Sequence, residues 1–523
     1  MAARDFQHND IRVNVIINLI RTLTMTALSF ITFPYVTRAL GDQVFGLYTW
    51  ANTFVYYFLV LAKISIPNIA IRECSKVKND KEALSHKAQE FFIIQAVMTV
   101  ISFAFEAALC FSIPALQENN GLIFMLSINF LVGLFSFEWI YIALEKHIYI
   151  TLRSIMTTAI SALFVYIFIR PTTSVAGGMN EIYIYAFFTI MPTVFTVIAN
   201  LVMLPRYISF KKYRKYEFSP LIRQLIVLLF ISLFITAYNQ TDSFILGFLD
   251  KSKASVGSYS VGVKGIDIVI TLITSLYAVF MPRATYYYEM ADKRYYRNLL
   301  RFSFNITVFI AIPAIATMTT MSPLIVSLVA GANEASYQNA NWVLTILASM
   351  MLTFSLCDNI YTEILLPQRR EKTYLVAMLT AVILNVGLSL LLGGIVFKDK
   401  PVIGVAIGTM ASDVLLLVFM LVVTREYSLK AVFNKNTLKI VVIGLVIGVL
   451  SYFLAPLLVK VMPFDASLTW LKELLALLTV VIIDAAIYVG GLLILKENLV
   501  SSFTPGYRKK MEAENAKFQS EGK

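Results

Sequence analysis

The sequence predicts an all-α polytopic membrane protein, and its composition, its apolar segments and the charge of its loops each support this fold class. Of the 523 residues, 58% are hydrophobic and 15% are charged, whereas a soluble protein carries about 25% charged residues. The mean hydropathy of +0.73 agrees with these fractions. A soluble chain of this length would form about three domains, and there are too few polar residues to cover them. Composition therefore excludes a soluble enzyme, a secreted domain and a disordered chain.

Fourteen segments are apolar and long enough to cross a bilayer, which takes about 20 residues of helix. Because the remaining segments are short, none of the connections is large enough to form a soluble domain. The predicted transmembrane helices are 13–33, 45–66, 91–114, 121–144, 150–169, 182–204, 223–249, 260–281, 302–325, 341–366, 374–396, 402–424, 438–459 and 470–495.

Lysine and arginine are concentrated in alternate connections. With the N-terminus placed in the cytoplasm, 33 of the 44 basic residues fall in inside segments and 8 in outside segments. Cytoplasmic loops of membrane proteins carry such an excess of basic residues. The distribution therefore predicts a multi-pass protein with both termini in the cytoplasm. It also argues against nucleic-acid binding, since the positive charge is spread over many short loops.

Two stretches indicate an internal repeat. ALGDQVFGLY at 39–48 and ILGFLDKSKASVGSY at 245–259 both place Leu-Gly before a turn and Gly-x-Tyr after it. The glycines Gly46 and Gly257 are 211 residues apart. A second match places an acid three residues before a tyrosine, in Glu138 and Tyr141 and again in Asp358 and Tyr361. The two tyrosines are 220 residues apart. Transporters are often built from such repeats, and an even number of helices per repeat makes the two halves parallel.

The repeat divides the chain into four expected parts. Residues 1–222 form an N-terminal six-helix lobe and residues 223–425 form a C-terminal six-helix lobe. Residues 426–496 add two transmembrane helices, and residues 497–523 form a basic cytoplasmic tail.

Several motifs resemble those of one known family. They are FPYVTRALG (33–41), FGLY (45–48), PNIAIRE (67–73), FEWIYIALEKHIYITLRS (137–154), NQTD (239–242) and VGSYSVGVKG (256–265). The set resembles the polysaccharide or oligosaccharide-repeat-unit flippases, of the lipid-linked O-antigen type, in the multidrug/oligosaccharidyl-lipid/polysaccharide transporter superfamily. The resemblance implies two six-helix lobes around a central cavity. It also implies that the protein moves undecaprenyl-pyrophosphate-linked oligosaccharides from the inner to the outer leaflet of a bacterial plasma membrane.

This resemblance implies a place in the synthesis of capsule, exopolysaccharide or O-antigen. The expected partners are the lipid-linked oligosaccharide substrate, the lipid bilayer and, within the same synthesis, a glycan polymerase and glycosyltransferases. Two alternatives stay open within this class of transporter. One is a cation-coupled drug or metabolite antiporter of the same superfamily, and the other is a flippase for a peptidoglycan precursor or a teichoic-type polymer.

Charged residues inside the predicted helices are the candidates for function, because an ionisable group at the bilayer centre costs about 2.5–3.5 kcal/mol on insertion scales. Arg21 and Lys63 lie toward the inner ends of helices one and two, and Lys264 lies in the outer part of helix eight. Arginine forks onto phosphate and lysine acts as a point charge. These three cations are therefore expected to bind a pyrophosphate headgroup. The alternatives are a structural acid partner for Arg21, snorkelling of Lys63 to the interface, and pairing of Lys264 with Asp267 one turn away.

The acids suggest a second role. Asp242 follows Asn239 and Gln240, and this polar patch is a candidate site for a coupling proton or cation, with Asp267 as a further candidate. For Glu138, Asp358 and Glu363, helix capping or pairing with basic loops is the favoured interpretation. The other intramembrane acids are Glu106, Asp413 and Asp484, and the last is expected to have a local structural role.

Enzymatic and metal-dependent functions find no support in the sequence. The three cysteines are far apart, the three histidines are isolated, and there is neither a nucleophile–base pattern nor a phosphate-binding loop. Metal sites and disulfide frameworks need closer Cys and His spacings. We therefore expect a transporter without a cofactor, a metal or ATP hydrolysis, and short outer loops argue against a membrane-embedded polymerase or ligase.

Overall fold

The computed structural model describes residues 2–170, 175–211, 213, 216–331, 337–461 and 469–497, and these ranges form helices without any β-strand. The predicted tail falls almost wholly outside the described residues. Burial of backbone polar groups explains the absence of strands in these ranges, because only helices and closed barrels satisfy every backbone hydrogen bond in lipid. The all-α membrane fold predicted from the sequence is confirmed.

Nineteen α-helices make up the described ranges. The first nine are α1 (Ala2–Lys63), α2 (Ile66–Lys76), α3 (Lys81–Ser112), α4 (Pro114–Gln117), α5 (Asn120–Gly133), α6 (Glu138–Ala143), α7 (His147–Phe168), α8 (Val175–Met203) and α9 (Ser219–Leu249). The remaining ten are α10 (Ala254–Glu289), α11 (Lys293–Thr320), α12 (Ser322–Ala330), α13 (Gln338–Leu347), α14 (Met350–Ile360), α15 (Glu371–Leu391), α16 (Pro401–Val423), α17 (Ser428–Val432), α18 (Lys435–Val461) and α19 (Thr469–Ile494).

The number of membrane-spanning helices differs from the sequence prediction. Within the described residues, twelve helices are long and apolar enough to cross a membrane, so the count of fourteen is not confirmed. The first two predicted segments form one candidate span, Ile20–Lys63, and the fourth corresponds to a shorter apolar helix, Asn120–Ser136. The other eleven predicted segments each correspond to one of the remaining candidate spans.

The bend in α1 explains the merged first span. Gly41 interrupts the helix with φ 74° and ψ 172°, a backbone conformation that favours glycine. A side chain at this position would be strained even though open space surrounds it. The glycine therefore lets two apolar limbs of one helix change direction without an intervening loop.

Packing divides the chain into two compact units. Unit 1 contains residues 1–260 with 335–337 and 400–402, and unit 2 contains residues 261–334, 338–399 and 403–523. The boundaries predicted from the repeat, after residues 222 and 425, stay predictions. In unit 1 the bent α1 packs against α3, α5, α7, α8 and α9. In unit 2 helix α11 is central, since it contacts α13, α14, α17, α18 and α19.

A close helix–helix contact in unit 2 attaches the penultimate helix. Gly444 of α18 faces α11, and a Cβ atom at this position would overlap the side chain of Ile312. One turn further, a Cβ atom at Gly448 would meet Ala316 at an ordinary 3.5 Å. Small residues four apart let helix backbones approach closely in membranes. The α18 helix is thus packed tightly onto the centre of unit 2.

Candidate functional site

A polar cluster lies in unit 1 near the predicted inner end of its helices. Arg21 comes from the first limb of α1, Glu138 is the first residue of α6, and Arg153 comes from α7. Phe137 precedes Glu138 with φ 45°, so the chain turns sharply between a short 3₁₀ segment and α6. This turn places the carboxylate at a helix N-terminus, where negative charge is favoured.

Two arginine side chains form ion pairs with the same oxygen of Glu138. The distance from Arg153 Nη2 to Glu138 Oε1 is 3.0 Å, and that from Arg21 Nη1 to the same oxygen is 3.8 Å. The Arg153 side chain is 5% exposed, whereas those of Arg21 and Glu138 are 27% and 37% exposed. Lys63, an exposed residue, is an electrostatic neighbour of Glu138 as well. Three predicted or observed cations therefore surround one carboxylate.

Asn200 of α8 holds the inner arginine in place. Its Oδ1 accepts hydrogen bonds from Arg153 Nη1 and from the Tyr149 hydroxyl, and its Nδ2 donates to the Ser136 carbonyl oxygen. The Tyr141 hydroxyl donates to the backbone carbonyl oxygen of Asn200 at 2.5 Å. The Arg153 guanidinium also lies 5.5 Å from the centre of the Tyr149 ring, in reach of a cation–π interaction. Arg153 is thus held by Glu138 of α6, Asn200 of α8 and Tyr149 of its own helix, whereas Arg21 makes only the longer contact with Glu138 among the interactions described.

The charge balance of this cluster is positive. Glu138 supplies one negative charge, while Arg21, Lys63 and Arg153 supply three positive charges. Arg153 alone can neutralise the carboxylate, because it makes the shorter contact. Arg21 makes the longer contact, and its side chain is partly exposed.

Asp242 lies in a second polar cluster of unit 1. Its carboxylate accepts a short hydrogen bond, 2.5 Å, from the Tyr259 hydroxyl, and the aspartate is buried. The Tyr57 hydroxyl lies 3.5 Å from the hydroxyl of the adjacent Thr241 and is an electrostatic neighbour of Asp242. Asn239, predicted to share this patch, is exposed on α9. The cluster joins α1, α9 and α10 within unit 1.

Lys264 and Asp267 lie in unit 2, one turn apart on α10. Asp267 is exposed, Lys264 is half-buried, and the two are electrostatic neighbours. The predicted headgroup cations therefore fall into two units: Arg21 and Lys63 in unit 1, and Lys264 in unit 2.

Two further intramembrane acids of unit 2, Glu363 and Asp484, accept hydrogen bonds from hydroxyl groups. The Glu363 side chain is fully buried and accepts a hydrogen bond of 2.5 Å from Ser303. Asp484 accepts hydrogen bonds from Ser451 of α18 and Thr317 of α11, at 2.6 and 3.3 Å. Asp484 therefore links the last two helices to α11, in keeping with the local structural role that the sequence suggested.

Sequence reasoning missed two residues of the inner cluster. Arg153 lies at the start of the predicted helix 150–169, where a basic residue is typical of the inner interface, and Asn200 lies in an apolar run that gives no local signal. One signal was available: Glu138 and Arg153 lie in the same stretch of charged and aromatic residues, FEWIYIALEKHIYITLRS. An acid and an arginine at the facing ends of two consecutive helices predict an ion pair.

Comparisons with known proteins agree with this architecture. A family model described as "Polysaccharide biosynthesis protein" matches residues 11–287, and a MatE model matches residues 228–391. The chain is 22% identical over 150 residues to a putative O-antigen transporter of Escherichia coli (strain K12). That match covers 28% of this chain and 36% of the relative, so it spans about a third of the relative's length.

Two solved structures share the fold. The lipid II flippase MurJ in an inward closed conformation has a TM-score of 0.58 at 15% identity, and the match covers 91% of this chain and 100% of that one. An inward-facing multidrug resistance MATE family transporter of the MOP superfamily has a TM-score of 0.59 at 13% identity, with 80% and 99% covered. The families and structures matched are those of transporters rather than enzymes. Because the first family model covers more than half of the chain, the protein belongs to the polysaccharide biosynthesis protein family, within the multidrug/oligosaccharidyl-lipid/polysaccharide transporter superfamily.

Proposed function

We propose that the protein is a flippase that moves lipid-linked oligosaccharide repeat units, carried on undecaprenyl pyrophosphate, from the inner to the outer leaflet of the bacterial plasma membrane. Its product serves the synthesis of capsule, exopolysaccharide or O-antigen. The observation that carries this proposal is the cationic cluster in unit 1. Two cations in excess of one carboxylate suit a pyrophosphate, which carries more than one negative charge.

The two arginines take different roles in this proposal. Arg153 stays paired with Glu138 and keeps the cluster assembled, since it is buried and bound by Asn200. Arg21 leaves its long contact with Glu138 and binds a phosphate oxygen, with Lys63 as a second point charge. Lys264 of unit 2 receives the headgroup later in the transport cycle. Transport by alternating access then moves the headgroup outward while the lipid tail stays in the bilayer.

Ion coupling is assigned to the Asp242 cluster. A buried carboxylate that accepts from a tyrosine hydroxyl can exchange a proton or hold a monovalent cation. Asn239 and Asp267 are the further candidates for this role. The same cluster also favours the second candidate function, a cation-coupled antiporter for drugs or metabolites, for which the MatE match over residues 228–391 gives support.

Transport into proteoliposomes of a fluorescent undecaprenyl-pyrophosphate oligosaccharide tests the proposal. Arg21→Ala should abolish or sharply reduce translocation, and Arg21→Lys should restore part of it, because lysine keeps the charge and loses the fork. Arg425→Ala, which removes an exposed arginine elsewhere, is the matched control and should transport normally. Full transport by Arg21→Ala would contradict the headgroup role. Translocation of cationic dyes without any translocation of the glycolipid would favour the antiporter.

Sidedness is tested separately with cysteine labelling in cells. A cysteine at exposed Ser252 should react with an impermeant maleimide from outside, whereas one at Lys211 should react only after permeabilisation. The three native cysteines are buried, which keeps the background low. Labelling of both positions from the same side would overturn the orientation on which the direction of transport depends.

A further inference from the structure

A cavity of about 490 Å³ lies in unit 1 near the bend of α1, at the end for which the loop charges predict the outer side. Three segments enclose it: the start of the second limb of α1, the connection from α3 to α5, and the connection from α9 to α10. Its volume falls within the range of small-molecule sites, about 300–1,000 Å³. None of the residues used so far to explain headgroup binding or ion coupling lines it.

One wall of the cavity is built around an unusual lysine. Lys253 is 8% exposed and adopts a left-handed backbone conformation, with φ 63°. Its Nζ donates to the Gly247 carbonyl oxygen and lies 4.1 Å from the centre of the Trp50 ring. Burial lowers the pKa of Lys253, while nearby Asp250 and Glu118 oppose that shift. Buried cations and strained backbones of this kind cluster at functional sites.

The same wall has no room for an additional side chain. A Cβ atom at Gly247 would overlap the indole of Trp50, so glycine is required where the lysine and the tryptophan meet. The indole nitrogen of Trp50 is buried and has no hydrogen-bond partner among the described residues. Asp250 braces the neighbouring turn by accepting from the Ser252 hydroxyl at 2.7 Å and from the Ser255 backbone nitrogen at 2.8 Å. The wall is therefore preformed.

The lining mixes donors, acceptors and an aromatic face. Gln43 and Asn119 offer amides, Glu118 offers a carboxylate, and Lys251 and Ser252 offer donors. Phe248, which is 43% exposed, adds an apolar surface. Adjacent sugar hydroxyls both donate and accept hydrogen bonds, and the C–H face of a sugar ring packs on aromatic rings. A phosphate suits this cavity less well, because Glu118 and the nearby Asp250 offset the two lysines.

We propose that this cavity is a glycan subsite, which binds a monosaccharide unit of the exported oligosaccharide at the outer end of unit 1. This inference rests on the proposed function, since a sugar reaches this face only if the protein exports a glycan. The subsite holds the glycan by hydrogen bonds with the Gln43 and Asn119 amides, by hydrogen bonds that Glu118 accepts from sugar hydroxyls, and by contact with Phe248. It thereby favours release of the headgroup toward the outer leaflet over its return.

Saturation-transfer-difference NMR on the purified full-length protein tests the subsite. The probes are glucose, galactose, N-acetylglucosamine and glucuronic acid at millimolar concentrations, in a detergent without a sugar headgroup, because maltoside detergents would compete. At least one sugar should bind saturably. Asn119→Leu and Glu118→Gln should each weaken that binding about tenfold, since each removes a hydrogen bond of typical strength.

Gln117→Leu is the matched control, because Gln117 is exposed beside the cavity and does not line it. It should leave sugar binding unchanged. Absence of binding by all four sugars to the unsubstituted protein, or equal weakening by Gln117→Leu and Asn119→Leu, would overturn the subsite. If no sugar binds but the protein still transports the glycolipid, the subsite is wrong and the proposed flippase function is unaffected. If a sugar binds but the protein does not transport the glycolipid, the proposed flippase function is wrong instead.

Discussion

Arg21 and Arg153 contact the same oxygen of Glu138, and their different surroundings predict opposite effects of substitution. Arg153→Gln should destabilise the protein, whereas Arg21→Gln should leave its stability nearly unchanged and abolish transport. The matched change to glutamine removes a guanidinium in both cases and keeps a hydrogen-bonding side chain. The comparison therefore separates the structural cation of the cluster from the one that is available to substrate.

The expected magnitudes follow from burial and distance. Breaking a fully buried ion pair costs about 3–5 kcal/mol. Glu138 is 37% exposed, so water can solvate the carboxylate that Arg153 leaves behind, and Asn200 keeps its bond from Tyr149. The cost of Arg153→Gln should then resemble the loss of one or two hydrogen bonds to charged groups, about 1.5–3 kcal/mol each. Arg21 sits 3.8 Å away and is partly exposed, a geometry worth about 0–1 kcal/mol.

Thermal unfolding of detergent-solubilised protein, followed by a thiol-reactive dye, measures the difference. The three cysteines are free and buried, so they react only as the protein unfolds. A large membrane protein need not unfold in two states, and midpoints are therefore compared rather than free energies. The midpoint should fall clearly for Arg153→Gln and stay near that of the unsubstituted protein for Arg21→Gln. Equal losses of stability would refute the reasoning, as would normal transport by Arg21→Gln.

Three further predictions concern coupling, pH and packing. Asp242→Asn should reduce gradient-dependent transport in proteoliposomes while glycolipid binding persists, and unchanged gradient dependence would remove this carboxylate from coupling. A hydrogen bond from Lys78 at 2.7 Å lowers the pKa of Glu145 below its usual 4.5, so the pair should stabilise the protein above about pH 4.5 and lose that contribution as the pH falls through the lowered pKa. High salt should weaken the pair, whose contribution is below about 1 kcal/mol because both groups are exposed. The difference in unfolding midpoint between the unsubstituted protein and Glu145→Gln, followed against pH, measures the effect. Gly444→Ala should lower the unfolding midpoint because its methyl group overlaps a neighbouring helix, whereas Gly448→Ala should be tolerated, and equal effects would contradict the close contact.

The helices of this protein were predictable because the length of an apolar run is a local property of the sequence. Eleven of the fourteen predicted segments correspond one to one to candidate spans, with ends that differ by several residues. The count of fourteen is not confirmed at two places where the geometry is not local. Gly41 bends α1 without ending it, and the 3₁₀ turn Leu134–Ser136 shortens the fourth segment. Hydropathy alone does not distinguish a bend inside a helix from a loop between two helices.

The inner cluster was predictable only in part, because partners of a charge depend on tertiary contacts. Burial cost marked Arg21 and Lys63 as candidates, but nothing in the sequence near Arg21 identifies Glu138 as its acid. The structural alternative considered for Arg21 was an acid partner, and the structure contains one. Arg153 makes the shorter contact with Glu138, so Glu138 does not need Arg21 as its partner. The headgroup role of Arg21 stays a prediction.

The two glycines that the predicted repeat matches, Gly46 and Gly257, face one another. Both lie in unit 1, where a Cβ atom at Gly46 would overlap the carbonyl oxygen of Lys253, and one at Gly257 would overlap that of Asp42. Each glycine thus meets the backbone of the residue four positions before the other, which is the reciprocal pattern expected about a two-fold axis. One contact therefore explains the glycine at both positions. The sequence match between these two turns accordingly reflects the packing of one turn on the other, rather than a function that each turn performs separately.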